Sequence, residues 1–447
     1  MSSVTSVLRN PSRIFYGWKM LALISFMGAL NSSFYSKGAA LFLIPVENSL
    51  GLSRATTSLI FSLARSEGAV EGPLIGYLVD WYGPKKMLVI GTIIAGVGFL
   101  IFSQAHNVWI FAIAYLGFIS LGATMGFQHA VAASVNLWFS RFRVRALSIQ
   151  EASGNLGSMI LIPLLGLIIA VYDWRVAAIF GALAYFVVVL PLSPLVKRSP
   201  ESIGLLPDGA DPQEVEAARQ SRATGGATDT RQMLRYYDNP EYHLKEALRS
   251  PTYWLLLIGT MLRQMAKAPI QVHIVAILQW KGLDVAAASL VFAFWLGMNV
   301  PSKLFFGFIG DRMPKQLSLG GGMLLYALAM ALLLYGNSVW VFLGAAVVGG
   351  MAEGITPINW GAIGDYFGRR YFATLRGIMN LSHSWALVLL PWLAGWWFDR
   401  AGSYTLTLWA SLIAALLAAV FYVLMRRPRT PARLVVRQPV AEGVVRE

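Results

Sequence analysis

The sequence predicts an all-α integral membrane protein with twelve transmembrane helices in two pseudo-symmetric halves of six. Three observations predict it. Of the 447 residues, 56% are hydrophobic and only 13% are charged, against about 25% charged in soluble domains. The apolar residues run in near-continuous stretches, and a spanning helix needs about 20 of them. Basic residues gather in alternate loops, and landmarks recur at one fixed offset along the chain.

Hydropathy and punctuation place the spans near 16–46, 53–79, 87–104, 108–138, 144–171 and 174–196, then 250–279, 285–309, 317–336, 339–367, 372–398 and 404–425. The first follows Arg9 and Arg13 with no small-residue cleavage site close behind it, so it reads as a helix and not as a removed signal peptide. Trp18, Trp81, Trp109, Trp138, Trp174 and Trp280 fall near predicted helix ends, as an aromatic belt requires. Residues 197–249 are polar, with GlyGly at 225–226, and read as a linker. The expected organisation is a half at 1–196, the linker, a half at 250–427 and a tail at 428–447.

A net charge of +14 would suggest nucleic acid for a soluble protein. Here 27 Lys and Arg lie in the termini, the linker and alternate loops, whereas the other loops hold only Arg54, Arg175, Lys281 and Arg400. The positive-inside rule then puts both termini and the linker in the cytoplasm, and no nucleic-acid partner is expected. There are no cysteines, which excludes disulfides, thiolate metal sites and Cys nucleophiles. No GxxxxGK[ST] or HExxH motif occurs, so neither ATP-driven transport nor metal catalysis is expected, and no cofactor.

The halves repeat. Gly28 and Gly259, Gly51-Leu52 and Gly282-Leu283, Gly76 and Gly307, Asp80 and Asp311, and Arg145 and Arg376 all differ by 231. Several landmarks at one offset argue for a parallel repeat, with a working site at the interface of the halves near the bilayer midplane.

Gly72-Pro73-Leu74-Ile75-Gly76-Tyr77-Leu78-Val79-Asp80-Trp81-Tyr82-Gly83-Pro84-Lys85-Lys86 closes span two, and Gly307-Phe308-Ile309-Gly310-Asp311-Arg312-Met313-Pro314-Lys315 echoes it after span eight. Glycines permit close helix contact. An Asp followed by basic residues at a cytoplasmic helix end can hold and release a neighbouring helix. Asp80 and Asp311 are therefore gate candidates, with Arg145 and Arg376 as partners. This stretch and the layout of twelve spans with a long linker resemble the major facilitator superfamily over nearly the whole chain.

A finer resemblance follows. Arg143-Val144-Arg145-Ala146-Leu147-Ser148-Ile149-Gln150-Glu151-Ala152-Ser153-Gly154-Asn155-Leu156-Gly157 is similar to the span-five signature of monocarboxylate transporters and the related oxalate/formate antiporters. Pro200-Glu201 and Gly204-Leu205-Leu206-Pro207-Asp208-Gly209 look like the stretch after span six in bacterial members. In Tyr35-Ser36-Lys37-Gly38, Lys37 stands where the resemblance implies a lysine for the substrate carboxylate. Leu296-Gly297-Met298-Asn299-Val300-Pro301 lacks the Asp and Arg that those transporters carry on span eight, so their proton relay does not carry over.

Charges at membrane depth cost at least about 2.5–3.5 kcal/mol each and usually have a function or a partner. Arg263 and Lys267 lie one turn apart on one face of span seven, and the offset maps Lys37 of span one beside Lys267. These three cations are expected to bind a carboxylate, with Tyr35 and Asn31 as further substrate contacts. The bland alternative is neutralisation by buried glutamates. In span two, Glu67 and Glu71 lie 40° apart at 100° per residue, with Arg65 on the far side. Glu67, Glu71, Glu353 and His383 are the proton-coupling candidates. His129 and His273 read as packed hydrogen-bonding residues, and Lys303 as a lysine that can snorkel to the surface.

The expected function is secondary active transport of a small organic anion, a monocarboxylate, coupled to protons, by a monomer in the inner (plasma) membrane. An organic-anion exchanger, a carrier of a larger carboxylate such as an aromatic acid or siderophore, and a ligand-binding membrane sensor remain the alternatives.

Overall fold

The structure, a computed structural model, describes residues 15–52, 56–57, 59–61, 63–64, 70–211, 213, 215–217 and 241–428. Helix α1 covers 16–50, as Tyr16–Asn31, a wide π turn at Ser32–Ser36, and Ala39–Leu50. The second part of α2 is Gly72–Tyr82. The N-terminal half continues with α3 (Pro84–Ser103), α4 (Val108–Trp138), α5 (Arg143–Val171) and α6 (Trp174–Leu195). The C-terminal half holds α7 (Pro251–Trp280), α8 (Val285–Gly310), α9 (Lys315–Tyr335), α10 (Val339–Phe367), α11 (Phe372–Ala401) and α12 (Thr405–Leu424).

The repeat has a physical basis at the end away from the basic loops. Gly51 closes α1 with φ 62° and Gly282 follows α7 with φ 98°, both in the left-handed region that glycine enters without a Cβ penalty. Asn107 caps α4 by accepting from the Ile110 N–H at 2.9 Å, and Ser338 caps α10 by accepting from the Val341 N–H at 3.4 Å. Trp109 and Trp340, beside those caps, are 75% and 81% exposed. Each of these pairs lies 231 apart, so the offset read from the sequence marks equivalent caps, turns and interfacial anchors.

Eight of the described helices are long and apolar enough to cross a bilayer. Of the other four, α1 is interrupted by its wide turn, α2 is described in part, and α7 and α11 carry more polar residues. Leu164, Leu167, Val187, Leu290, Phe294 and Val420 are exposed on the outside of the bundle. That much apolar surface suits acyl chains and not water.

The halves meet where α2 packs on α11 and α5 on α8. Small residues set the spacing. A Cβ at Gly76 would lie 2.3 Å from the Ala373 carbonyl oxygen, and one at Gly72 3.0 Å from the Gly377 carbonyl oxygen. Across the molecule, a Cβ at Gly307 would lie 2.6 Å from Ser148 Oγ. The linker ends are tied down too. Asp208 accepts from the Ser140, Arg141 and Phe142 N–H groups, and Glu241 from those of Arg369 and Arg370. Two acids thus cap equivalent loops, one before α5 and one before α11.

Candidate functional site

Between the halves lies a cavity of about 950 Å³, lined from α1, α5, α7, α8 and α10. Its electrostatics come from four cations: Lys37, Arg263, Lys267 and Lys303. Lys37 is delivered by the wide turn in α1, where its N–H reaches the Ser32 carbonyl at 2.9 Å, five residues back. Gly38 permits that turn, because a Cβ there would sit 2.0 Å from the Ser33 carbonyl oxygen. Such single π turns recur at functional sites. The Lys37 ammonium donates to Asn155 Oδ1 on α5.

Arg263 and Lys267 share the cavity face of α7, as their spacing predicts. Arg263 is 3% exposed, donates from Nη1 to Thr356 Oγ1 at 3.0 Å, and leaves Nε without a partner. Lys267 is ion-paired with Glu353, whose Oε1 is unpartnered. Lys267 therefore follows the bland alternative in this state, and the carboxylate that pairs it is one of the proton candidates. Glu353 sits in a tight turn, Glu353–Ile355, that interrupts α10. Lys303 pairs with Glu151 of α5 at 3.1 Å.

Two expected contacts lie elsewhere. The Tyr35 hydroxyl lies within hydrogen-bond distance of Ser120 Oγ and the Ala64 carbonyl, and Asn31 Oδ1 accepts from Tyr185. Both are buried in the N-terminal half and neither lines the cavity. The physical reason is periodicity. Asn31 and Tyr35 are one turn apart and share a face, whereas Lys37 points away from it. Glu71 is half-buried beside the α2–α11 crossing and does not line the cavity. Glu67, Arg65 and the His383 side chain lie outside the described residues. His273 bridges the Tyr404 hydroxyl and the Pro391 carbonyl, and His129 is fully buried.

The two gate candidates, Asp80 and Asp311, bind helix N-termini. Asp80 accepts from the Ala373 N–H at 3.1 Å, the Thr374 N–H at 2.8 Å and Thr374 Oγ1 at 2.6 Å. Asp311 accepts from the Val144 and Arg145 N–H groups at 2.9 and 3.3 Å. A carboxylate there satisfies orphan amides and meets the positive end of the helix dipole. Arg145 also pairs with Asp311 through Nε at 3.7 Å.

Arg376 does not play the matching part at Asp80. It donates to the Gln128 carbonyl and stacks over Trp360. Helices α5 and α11 start at Arg143 and Phe372, 229 apart and not 231, so the counterpart of Arg145 is Thr374. The chain between the aspartate and the capped helix is two residues shorter in the second half. Further ties at this end were not expected: Arg143 to Asp365, Lys315 to Asp365 at 2.9 Å, and Arg369 to Glu201 at 2.9 Å. Burial tends to raise the Glu201 carboxyl, but Arg369 beside it outweighs this and holds it below the usual carboxylate range.

The profile of the Major Facilitator Superfamily matches residues 21–266 and 256–445. The chain belongs to this superfamily. It is therefore a multi-pass integral membrane protein of a transporter family. Among relatives, it is 34% identical over 131 residues to riboflavin transporter RibJ of Trypanosoma brucei brucei, covering 29% of this chain and 24% of that one. It is 21% identical to monocarboxylate transporter 12 of Xenopus laevis, over 97% and 94% of the two chains. It is 22% identical to the oxalate:formate antiporter of Oxalobacter formigenes, over 62% and 59%. The fold matches a crystal structure of a double Trp mutant of XylE with TM-score 0.67 and 16% identity, covering 93% of this chain and 97% of that one. The sequence resemblance to the monocarboxylate transporter and oxalate/formate antiporter group therefore holds.

Proposed function

We propose that this major facilitator protein carries a small organic anion, a monocarboxylate, together with a proton by alternating access. The observation that supports this reading best is the charge of the cavity. Lys37, Arg263, Lys267 and Lys303 converge from both halves, against the two carboxylates of Glu151 and Glu353. Two positive charges are left over for a ligand. A guanidinium with a free N–H can take a carboxylate edge-on, and an ammonium takes it as a point charge.

Proton coupling follows from Lys267 and Glu353. A substrate carboxylate that reaches Lys267 competes with Glu353 for its ammonium. A buried glutamate deprived of its cation is costly, and protonation removes that cost. Anion and proton would then enter together. The halves, 1–196 and 250–427, rock about this site. With the basic loops in the cytoplasm and the ties between the halves gathered there, the state described is outward-facing.

A second reading has its own support. Leu156, Met159, Ile162, Pro163, Leu296 and Val300 also line the cavity, and their apolar surface suits a carboxylate with a bulky apolar body such as an aromatic acid. Counterflow of labelled carboxylates in proteoliposomes separates the two by size. Glu353→Gln should abolish pH-driven accumulation while exchange continues. Counterflow of no carboxylate at all would overturn the anion reading, and intact pH-driven accumulation in Glu353→Gln would overturn this coupling residue.

A further inference from the structure

The four cavity cations differ in one respect. Lys37 is held by Asn155 of its own half, Arg263 by Thr356 of its own half, and Lys267 by Glu353 of its own half. Lys303, on α8, is held by Glu151 on α5, across the interface. The other described ion pairs between the halves, Arg143 to Asp365 and Arg145 to Asp311, do not involve residues that line the cavity. Lys303 is thus the cavity-lining cation, among the described residues, whose partner belongs to the opposite half. Eight residues separate it from Asp311, or about 12 Å at 1.5 Å per residue, so it forms the floor between the cavity and the basic-loop end. Lys37 lines the same cavity, so the two like charges face a shared space.

We propose that the Lys303–Glu151 pair is a latch between the halves which an anion in the cavity releases. An anion settling between Lys37 and Lys303 relieves their repulsion and competes with Glu151 for the Lys303 ammonium. The attraction that holds α5 to α8 falls, and the basic-loop end parts at lower cost. The bound anion can shift the equilibrium only because it interacts better with the state in which Lys303 is free. The three cations that pair within their own half hold the ligand, and the fourth transmits its arrival. The anion-release step rests on the reading of the cavity as an anion site, whereas the latch itself does not.

The test uses the full chain, which has no native cysteine. Ser148 is 1% exposed and packs under Gly307, so the thiol of a Ser148→Cys background reacts with a maleimide only when the basic-loop end parts. Without ligand, Glu151→Gln and Lys303→Met should each speed labelling at least tenfold, and Lys303→Arg should stay slow. Benzoate should speed labelling in the parent and in Lys303→Arg, and add nothing in Lys303→Met. Slow labelling in both Glu151→Gln and Lys303→Met as monodisperse proteins would overturn the latch. So would an equal response to benzoate in the parent and in Lys303→Met. If benzoate does not bind the parent, the release step is read with a carboxylate that shows counterflow; it fails with the anion reading only if no carboxylate does, and the ligand-free rates still decide the latch.

Discussion

The two crossings between the halves use the same cap and different charges. At α2–α11, Asp80 binds amides and a hydroxyl, and bare glycine backbones lie against Ala373 and Gly377. At α5–α8, Asp311 binds the equivalent amides, but Arg145 pairs with it and the Lys303–Glu151 bridge follows deeper in. The internal repeat has therefore kept the backbone device, a carboxylate on a helix N-terminus, while the ion pairs among the described residues of these two crossings lie at α5–α8. That crossing also borders the cavity. Among the described residues, the α2–α11 contact is a close backbone fit, whereas the α5–α8 contact carries ion pairs beside the cavity.

The largest expected effect separates the two by size alone. Gly76→Ala puts a methyl group against the Ala373 backbone, which cannot yield without moving α11. Gly307→Ala meets the Ser148 hydroxymethyl, which can rotate away. Overpacking of this kind costs about 1–3 kcal/mol, so initial uptake rates in proteoliposomes should fall about tenfold or more for Gly76→Ala and far less for Gly307→Ala. Equal losses would break the comparison.

A smaller effect sharpens it electrically. In a double-mutant cycle on the open–closed balance, read by Ser148→Cys labelling, Asp311→Asn with Arg145→Gln should show coupling of about 0.5–1 kcal/mol. Asp80→Asn with Arg376→Gln should show almost none. Coupling at the Asp80 pair would restore the symmetric gate that the 231 offset suggests.

That offset shows what the sequence could and could not disclose. Hydropathy and loop charge made the twelve spans legible, because the bilayer imposes length and sign directly. The two capping aspartates were legible from the repeat, and the shared face of Arg263 and Lys267 from helical spacing. The partner of Asp80 was not, because two residues are missing between Asp311 and α11, and no hydropathy pattern registers so small a change. Lys267 and Glu353 lie 86 apart in the chain, and only packing brings them together. Tyr35 and Asn31 are close to Lys37 in sequence but do not line the cavity with it. Their spacing from Lys37 already put them on another face, and the wide turn at Ser32–Ser36 is a local backbone event that side-chain pattern does not announce.

If the charge left over in the cavity holds an anion, as proposed, removing one of its cations must weaken binding. Binding of a transported carboxylate to purified, monodisperse Lys37→Ala tests it most directly. Losing one partner of a desolvated charged contact costs about 2–5 kcal/mol, and 1.4 kcal/mol is about tenfold, so affinity should fall at least tenfold while the fold persists. If affinity for every transported carboxylate were unchanged, and Lys37→Ala instead unfolded more readily, the cation would serve the structure alone and the account would be contradicted.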